Sequence, residues 1–220
     1  MCSNYRPTRG ERLQEYFNVT PPALDLSAEV YPASLAPVIR LSSGDEQADT
    51  LECVAACFGL VPHWAEPKFA RHTYNARTET VAAKPSYRNA FRKRQYCVIP
   101  LDAFYEPNYE TGKSVRWRIS HAEGRPLGVA GIWEWKSDGP NGQPLVSFSM
   151  LTINADHHAL MRRFHGPTDE RRMVVILDPT DYDGWLNSTP EDAPKFYTPY
   201  PSELLVAEPA PRTRAAARAK

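Results

Sequence analysis

Val115-Arg116-Trp117-Arg118-Ile119 alternates apolar and charged residues without a break. A period of two places Val115, Trp117 and Ile119 on one face and both arginines on the other, the pattern of a strand with one buried side. Strands are expected on either side of it, at Pro37 to Leu41, Leu51 to Phe58, Tyr96 to Pro100, Leu127 to Glu134, Leu145 to Thr152 and Met173 to Leu177. Thr8-Arg9-Gly10-Glu11 reads as a capping box with Thr8 as cap, opening a short helix through Leu13, Tyr16 and Phe17 to about Asn18. A Pro-rich stretch from there to Ala36 has no sustained period and reads as an ordered loop. Further helices are expected at Ser86 to Arg94, Asp156 to Phe164 and Asp181 to Leu186. No alternating strand-helix rhythm supports a doubly wound sheet. The fold class is α+β, a single domain with a curled, mostly antiparallel, barrel-like sheet and peripheral helices.

The 220 residues suffice to bury roughly 70% of the unfolded surface. Lys plus Arg and Asp plus Glu each number 26, so the net charge is zero and a site for polyanions must be a local patch. Cys2, Cys53, Cys57 and Cys97 have neither zinc-knuckle spacing nor the density of a disulfide scaffold. Cys53 and Cys57 lie in an apolar run and read as structural thiols in a reducing compartment. No metal and no cofactor is expected. No signal peptide or membrane span is read, so the chain is expected to be soluble and to stay where it is made. The domain is expected over 2–208. Residues 209–220, basic and of low complexity, are expected to form a disordered tail that adds weak salt-sensitive attraction to nucleic acid or merely solubilises.

Several residues carry chemistry. Loss of Met1 would leave Cys2 with both an α-amine and a thiol, a pair that condenses with an aldehyde to an imine and then closes a thiazolidine ring. The competing reading is an incidental residue at a loose terminus. In Asn75-Ala76-Arg77 an extended backbone points the amide and the guanidinium the same way, which suits a phosphate or sugar oxygen and equally suits a surface pair. Glu106 follows Phe104-Tyr105; burial there would raise its pKa, as a general acid requires, whereas a strand-end position would leave it in water. His165, before Gly166-Pro167, stands at a sharp exit from regular structure, as a proton shuttle or as a helix-end cation. His157-His158 does not read as a metal pair, because adjacent helical residues diverge. Trp64, beside His63, is either a platform for an unstacked base or an anchor for its loop.

Met1-Cys2, Phe58-Gly59-Leu60-Val61-Pro62-His63-Trp64, Asn75-Ala76-Arg77-Thr78-Glu79, Cys97-Val98-Ile99-Pro100 through Glu106, Ala130-Gly131-Ile132-Trp133-Glu134, Leu151-Thr152 and His165 before Arg172-Met173 together resemble the SRAP family. These are the SOS response-associated peptidase-like, abasic-site processing proteins. The likeness runs from residue 2 to about Leu186. It implies that Cys2, exposed by loss of Met1, captures the ring-opened aldehyde of an abasic site in single-stranded DNA as a covalent thiazolidine. It further implies that Asn75 orients the cysteine or the deoxyribose, Arg77 holds a phosphate, Glu106 assists proton transfer and His165 protonates the sugar oxygen. Removal of Met1 by the chain itself and a weak lyase activity through the imine belong to the same expectation. So do a monomeric state and a cytoplasmic, nucleoid-associated location upon damage. The sequence departs from the family at Ser3 and Pro107, where glycine and tryptophan are usual, at Phe58, and in the extra residues Gly166 to Arg171. Alternatives are an amino-terminal-nucleophile cysteine peptidase and a non-enzymatic single-stranded nucleic-acid-binding module.

Overall fold

A computed structural model describes residues 2–23, 25, 27–42, 50–166 and 168–212. Met1 and residues 213–220 of the expected tail lie outside them. Eleven strands form one sheet: β1 (Tyr5–Pro7), β2 (Leu35–Leu41), β3 (Leu51–Phe58), β4 (Asn75–Arg77), β5 (Tyr96–Asn108), β6 (Val115–His121), β7 (Leu127–Lys136), β8 (Leu145–Asn154), β9 (Arg172–Val174), β10 (Ile176–Leu177) and β11 (Leu205–Pro209). The order β7-β8-β3-β2-β5 closes on itself because β5 also pairs with β7, so five strands make a barrel and the rest extend it. Only β3–β8 and β4–β8 are parallel among these pairings, in keeping with the expected mostly antiparallel sheet.

β5 runs past the expected end at Pro100 to Asn108. Tyr96 to Leu101 pair with β7, and Phe104 to Asn108 then pair with β6. Pro100 lacks an N–H, but its carbonyl accepts from Thr8 N at 3.1 Å, so the strand survives the proline. The same contact removes the expected capping box. Thr8 Oγ1 donates to Asp102 at 3.1 Å, and helix α1 (Glu11–Phe17) starts after Gly10 with no side-chain cap. Helix α2 (Arg88–Arg92) is shorter than expected and is followed by Arg94 at φ +57°. Helix α3 (Tyr182–Asn187) is close to expectation; its buried Trp185 stacks on Tyr96 at 4.5 Å and donates to the Cys97 carbonyl.

The helix expected over Asp156 to Phe164 reduces to a 3₁₀ turn at Met161–Arg163. His158 Nδ1 accepts from the N–H groups of Leu160 and Met161, and its Nε2 donates to the Tyr200 carbonyl at 2.7 Å. The imidazole thus acts as a cap inside the expected helix. At the other end of the chain, Ala210 N donates to Arg116 O and the Arg212 guanidinium lies 5.3 Å from the Tyr31 ring centre.

Inside the barrel, Phe58 meets Tyr5, Tyr74 and Phe148 with ring centres 5.2–5.7 Å apart, tying β1, β3 and β8 together. The next residue, Gly59, turns the chain at φ +122°, and an added Cβ would lie 1.9 Å from the Ala70 carbonyl oxygen. Only glycine fits. Gly59→Ala is predicted to cost at least about 1–3 kcal/mol, read as a lowered midpoint in thermal and urea unfolding.

Candidate functional site

β1 brings the start of the chain to β5: Tyr5 pairs with Phe104, and Tyr105 N donates to Asn4 O at 3.1 Å. Cys2 follows into the interior, 1% exposed, with its thiol donating to Asn4 O at 3.6 Å. From the other side β4 pairs with β8, Asn75 against Met150, and Asn75 Nδ2 donates to the Cys2 carbonyl at 2.8 Å. Tyr87 fixes β4 in turn by donating to the Asn75 carbonyl. Asn75 Oδ1 is buried without a hydrogen-bond partner among the described residues. An orphaned acceptor in such a place is a costly feature unless something else binds it.

Glu106 is 3% exposed, and its Oε2 lies 3.5 Å from His165 Nδ1. His165 is set at φ +73° by its N–H to the Pro107 carbonyl and by the Asn108–Phe164 bridge. Its Nε2 faces the Arg172 carbonyl at 2.8 Å. A carbonyl only accepts, so Nε2 carries the hydrogen and Nδ1 is turned to the carboxyl group. Burial raises the Glu106 pKa above its ordinary value, against the opposing pull of nearby positive charge that includes His165. Burial also pushes the Cys2 thiol up to about 12, with Glu106 adding to the rise. Burial thus shifts both groups toward their neutral forms.

Arg172 is a residue the sequence reading did not single out beyond its motif. It is 1% exposed. Glu79 takes its guanidinium through two contacts of 2.9 and 3.1 Å, Thr152 takes it through carbonyl and hydroxyl, and Glu170 accepts at 2.6 Å. The side chain anchors the outer layer while the carbonyl orients His165. Arg77, half-exposed, pairs with Glu170 at 2.7 Å. Trp64 stands apart from this group: its ring is 55% exposed and meets Phe69 edge-on at 5.4 Å, so it is both anchored and presented.

Two clefts adjoin the pair. One, about 510 Å³, is lined by Ser3, Tyr105, Glu106, Arg116 and Arg212; the other, about 430 Å³, by Tyr109, Arg162, Arg163, His165 and Arg171. Both have arginines on their walls, but Arg116 is paired with Glu29 at 2.8 Å and Arg163 with Glu110, itself part of the second cleft, at 2.9 Å.

A closed barrel carrying a cysteine near the chain start beside a buried acid-imidazole pair defines the class. The profile of the SOS response associated peptidase (SRAP) family matches residues 1–213, and the chain belongs to that family. It is 31% identical over 155 residues to the abasic site processing protein YoqW of Bacillus subtilis, covering 68% of this chain and 65% of that protein. It is 30% identical over 171 residues to the abasic site processing protein HMCES of Xenopus tropicalis, covering 67% of this chain and 49% of that one. The matches thus span about half to two thirds of these relatives. A Bordetella bronchiseptica protein of known crystal structure is 36% identical at a TM-score of 0.85, covering 95% of this chain and 99% of the other. A Bacteroides thetaiotaomicron protein, 20% identical at a TM-score of 0.77, shares the fold.

The raised Glu106 pKa has a consequence for stability. The folded chain holds that proton more tightly than the unfolded chain, whose value is near 4.5. The contribution is fully present below the unfolded value and is lost as pH rises through the folded one. Glu106→Gln cannot ionise and is predicted to be more stable than the parent at neutral pH, with the difference shrinking toward pH 4. Urea midpoints across that range check it; a difference independent of pH contradicts it.

Proposed function

We propose that this chain processes abasic sites in single-stranded DNA by covalent capture through Cys2, once Met1 is gone. The observation that carries the reading is the Asn75 hydrogen bond to the Cys2 carbonyl beside the Glu106–His165 pair. The family membership and the relatives named abasic site processing proteins support it.

The order of steps follows from the protonation states. A thiol held neutral by burial is a poor first nucleophile, whereas an α-amine with an ordinary value of about 8 is partly neutral. The sugar opens first: the anomeric hydroxyl gives its proton to His165 Nδ1, and the imidazolium returns one to the ring oxygen, freeing the aldehyde. The amine, ahead of the thiol, then attacks the aldehyde carbon, forming the C–N bond and, after its proton passes to the oxygen, a carbinolamine. Protonated Glu106 gives its proton to the carbinolamine hydroxyl, which leaves as water and yields the iminium. The thiol sulfur then adds to the iminium carbon, leaving nitrogen a neutral secondary amine, and the thiol proton returns to the Glu106 carboxylate. Amine, thiol and aldehyde thus become thiazolidine and one water, with no cofactor or metal required. Asn75 positions the cysteine, and its Oδ1 accepts from the amine or a deoxyribose hydroxyl. Arg77 binds a flanking phosphate, and Trp64 offers a stacking face to a base. The two arginine-lined clefts provide entry and exit for the strand, and a monomer suffices.

Removal of Met1 by the chain's own chemistry, and strand cleavage through the imine, are extensions of the same proposal. Intact-mass measurement of protein made without methionine aminopeptidase tests the first, and product analysis on a labelled oligonucleotide the second.

Mature protein mixed with an oligonucleotide holding one abasic site is expected to give an adduct that resists denaturation without reductant. Cys2→Ala or a residue left in front of Cys2 is expected to abolish it, and Glu106→Gln to slow it about 10²-fold. No adduct from the mature chain would overturn the reading. Equal binding to intact and abasic strands, indifferent to Cys2, would favour a binding module.

A further inference from the structure

The residue assigned to a phosphate is already occupied. Glu170 Oε2 lies 2.7 Å from Arg77 Nη1, while Glu170 Oε1 accepts from Arg172 Nη1 at 2.6 Å. One carboxylate thus bridges an exposed guanidinium and a buried one. The two arginines and the two glutamates, Glu79 and Glu170, sum to zero charge, but their demands differ. Arg172 already has both oxygens of Glu79 and both oxygens of Thr152, so its charge is balanced without Glu170. Arg77 has no other carboxylate at ion-pair distance among the described residues.

We propose that Glu170 is an internal competitor for Arg77, its carboxylate standing where a DNA phosphate oxygen binds, and that a bound strand displaces it. The proposal rests on the assignment of Arg77 to a phosphate. Displacement exchanges one monoanion for another, so the charge balance around Arg172 is preserved. It is also inexpensive, since the side chains of Arg77 and Glu170 are 48% and 36% exposed and such pairs contribute little. The backbone beside Glu170 is held by contacts that do not involve Arg77: Asp169 N to Gly166 O, Gly166 N to the Asp169 carboxylate, and Ala155 N to Arg171 O. Only the side chain needs to swing. The effect is to weaken binding to any intact strand, so that aldehyde capture and not phosphate attraction decides which strands are retained.

The test is fluorescence anisotropy of an intact single-stranded oligonucleotide at several salt concentrations, with adduct formation on its abasic counterpart measured separately. Glu170→Gln keeps a hydrogen-bond acceptor for Arg172, and Glu170→Ala removes it. Both are expected to bind the intact strand up to about fivefold more tightly, with the slope of log K against log salt unchanged, because the strand bound to the parent already has the Arg77 contact. Arg77→Ala is expected to lower the slope by about 0.7, the value for one phosphate contact, and combined with Glu170→Gln to lose the gain in affinity. Unchanged affinity in both single variants, or a gain that survives Arg77→Ala, overturns the proposal. Adduct formation with no gain in affinity rejects the competitor and leaves aldehyde capture standing. A gain that Arg77→Ala removes, with no adduct from any protein, rejects aldehyde capture and leaves the competition for phosphate intact.

Discussion

The pairing of β1 with β5 is the constraint on which the rest of the site depends. β5 first closes the barrel against β7 and then leaves it to pair with β6, and β1 joins it where that change occurs, at Tyr5 and Phe104. The register leaves no choice about neighbours. Glu106 lies two residues beyond Phe104 and Cys2 three residues before Tyr5, so an antiparallel pair carries both past the same end of the ladder. The bond from Tyr105 N to Asn4 O continues the pairing to within two residues of the thiol. A terminus that sequence position alone would leave loose is thereby drawn into the core.

Around that fixed point the polar groups are arranged in two layers that meet at Arg172. Its carbonyl sets the tautomer of the buried imidazole, and its guanidinium gathers the carboxylates at the surface. Removing the guanidinium from water is costly unless every donor finds an acceptor, and the number of acceptors supplied here reflects that cost. The inner layer differs. Burial shifts Glu106 and Cys2 toward their neutral forms because the opposing charge near them does not offset it, while Arg172 is buried with excess opposing charge and stays ionised. Depth is similar in all three; the local supply of counter-charge separates them.

The sequence was most legible where a pattern is local. Strict alternation at Val115 to Ile119 located β6, and the apolar run at Leu51 to Phe58 located β3 residue for residue. The aromatic neighbours of Glu106 correctly implied its burial, and Gly166-Pro167 after His165 correctly implied a break in regular structure. Local patterns misled where a distant partner outbid them. Thr8 had the spacing of a cap but is taken by Asp102, 94 residues away, and His158 caps from inside what reads as an amphipathic helix. The bond between Asn75 and Cys2, 73 residues apart, and the role of Arg172 follow from strand order. No spacing in one sequence encodes that order.

On the proposed reading, burial decides the reaction sequence as much as any single side chain does. A thiolate at Cys2 would react readily with many electrophiles and would need no amine. By raising the thiol pKa, burial withholds that reactivity until an imine has formed next to it. The same burial favours the protonated form of Glu106, whose proton imine formation consumes. Selectivity for an aldehyde then arises because only a carbonyl that accepts the amine creates, one bond from the sulfur, an electrophile strong enough for a neutral thiol to attack with a carboxylate at hand to take its proton.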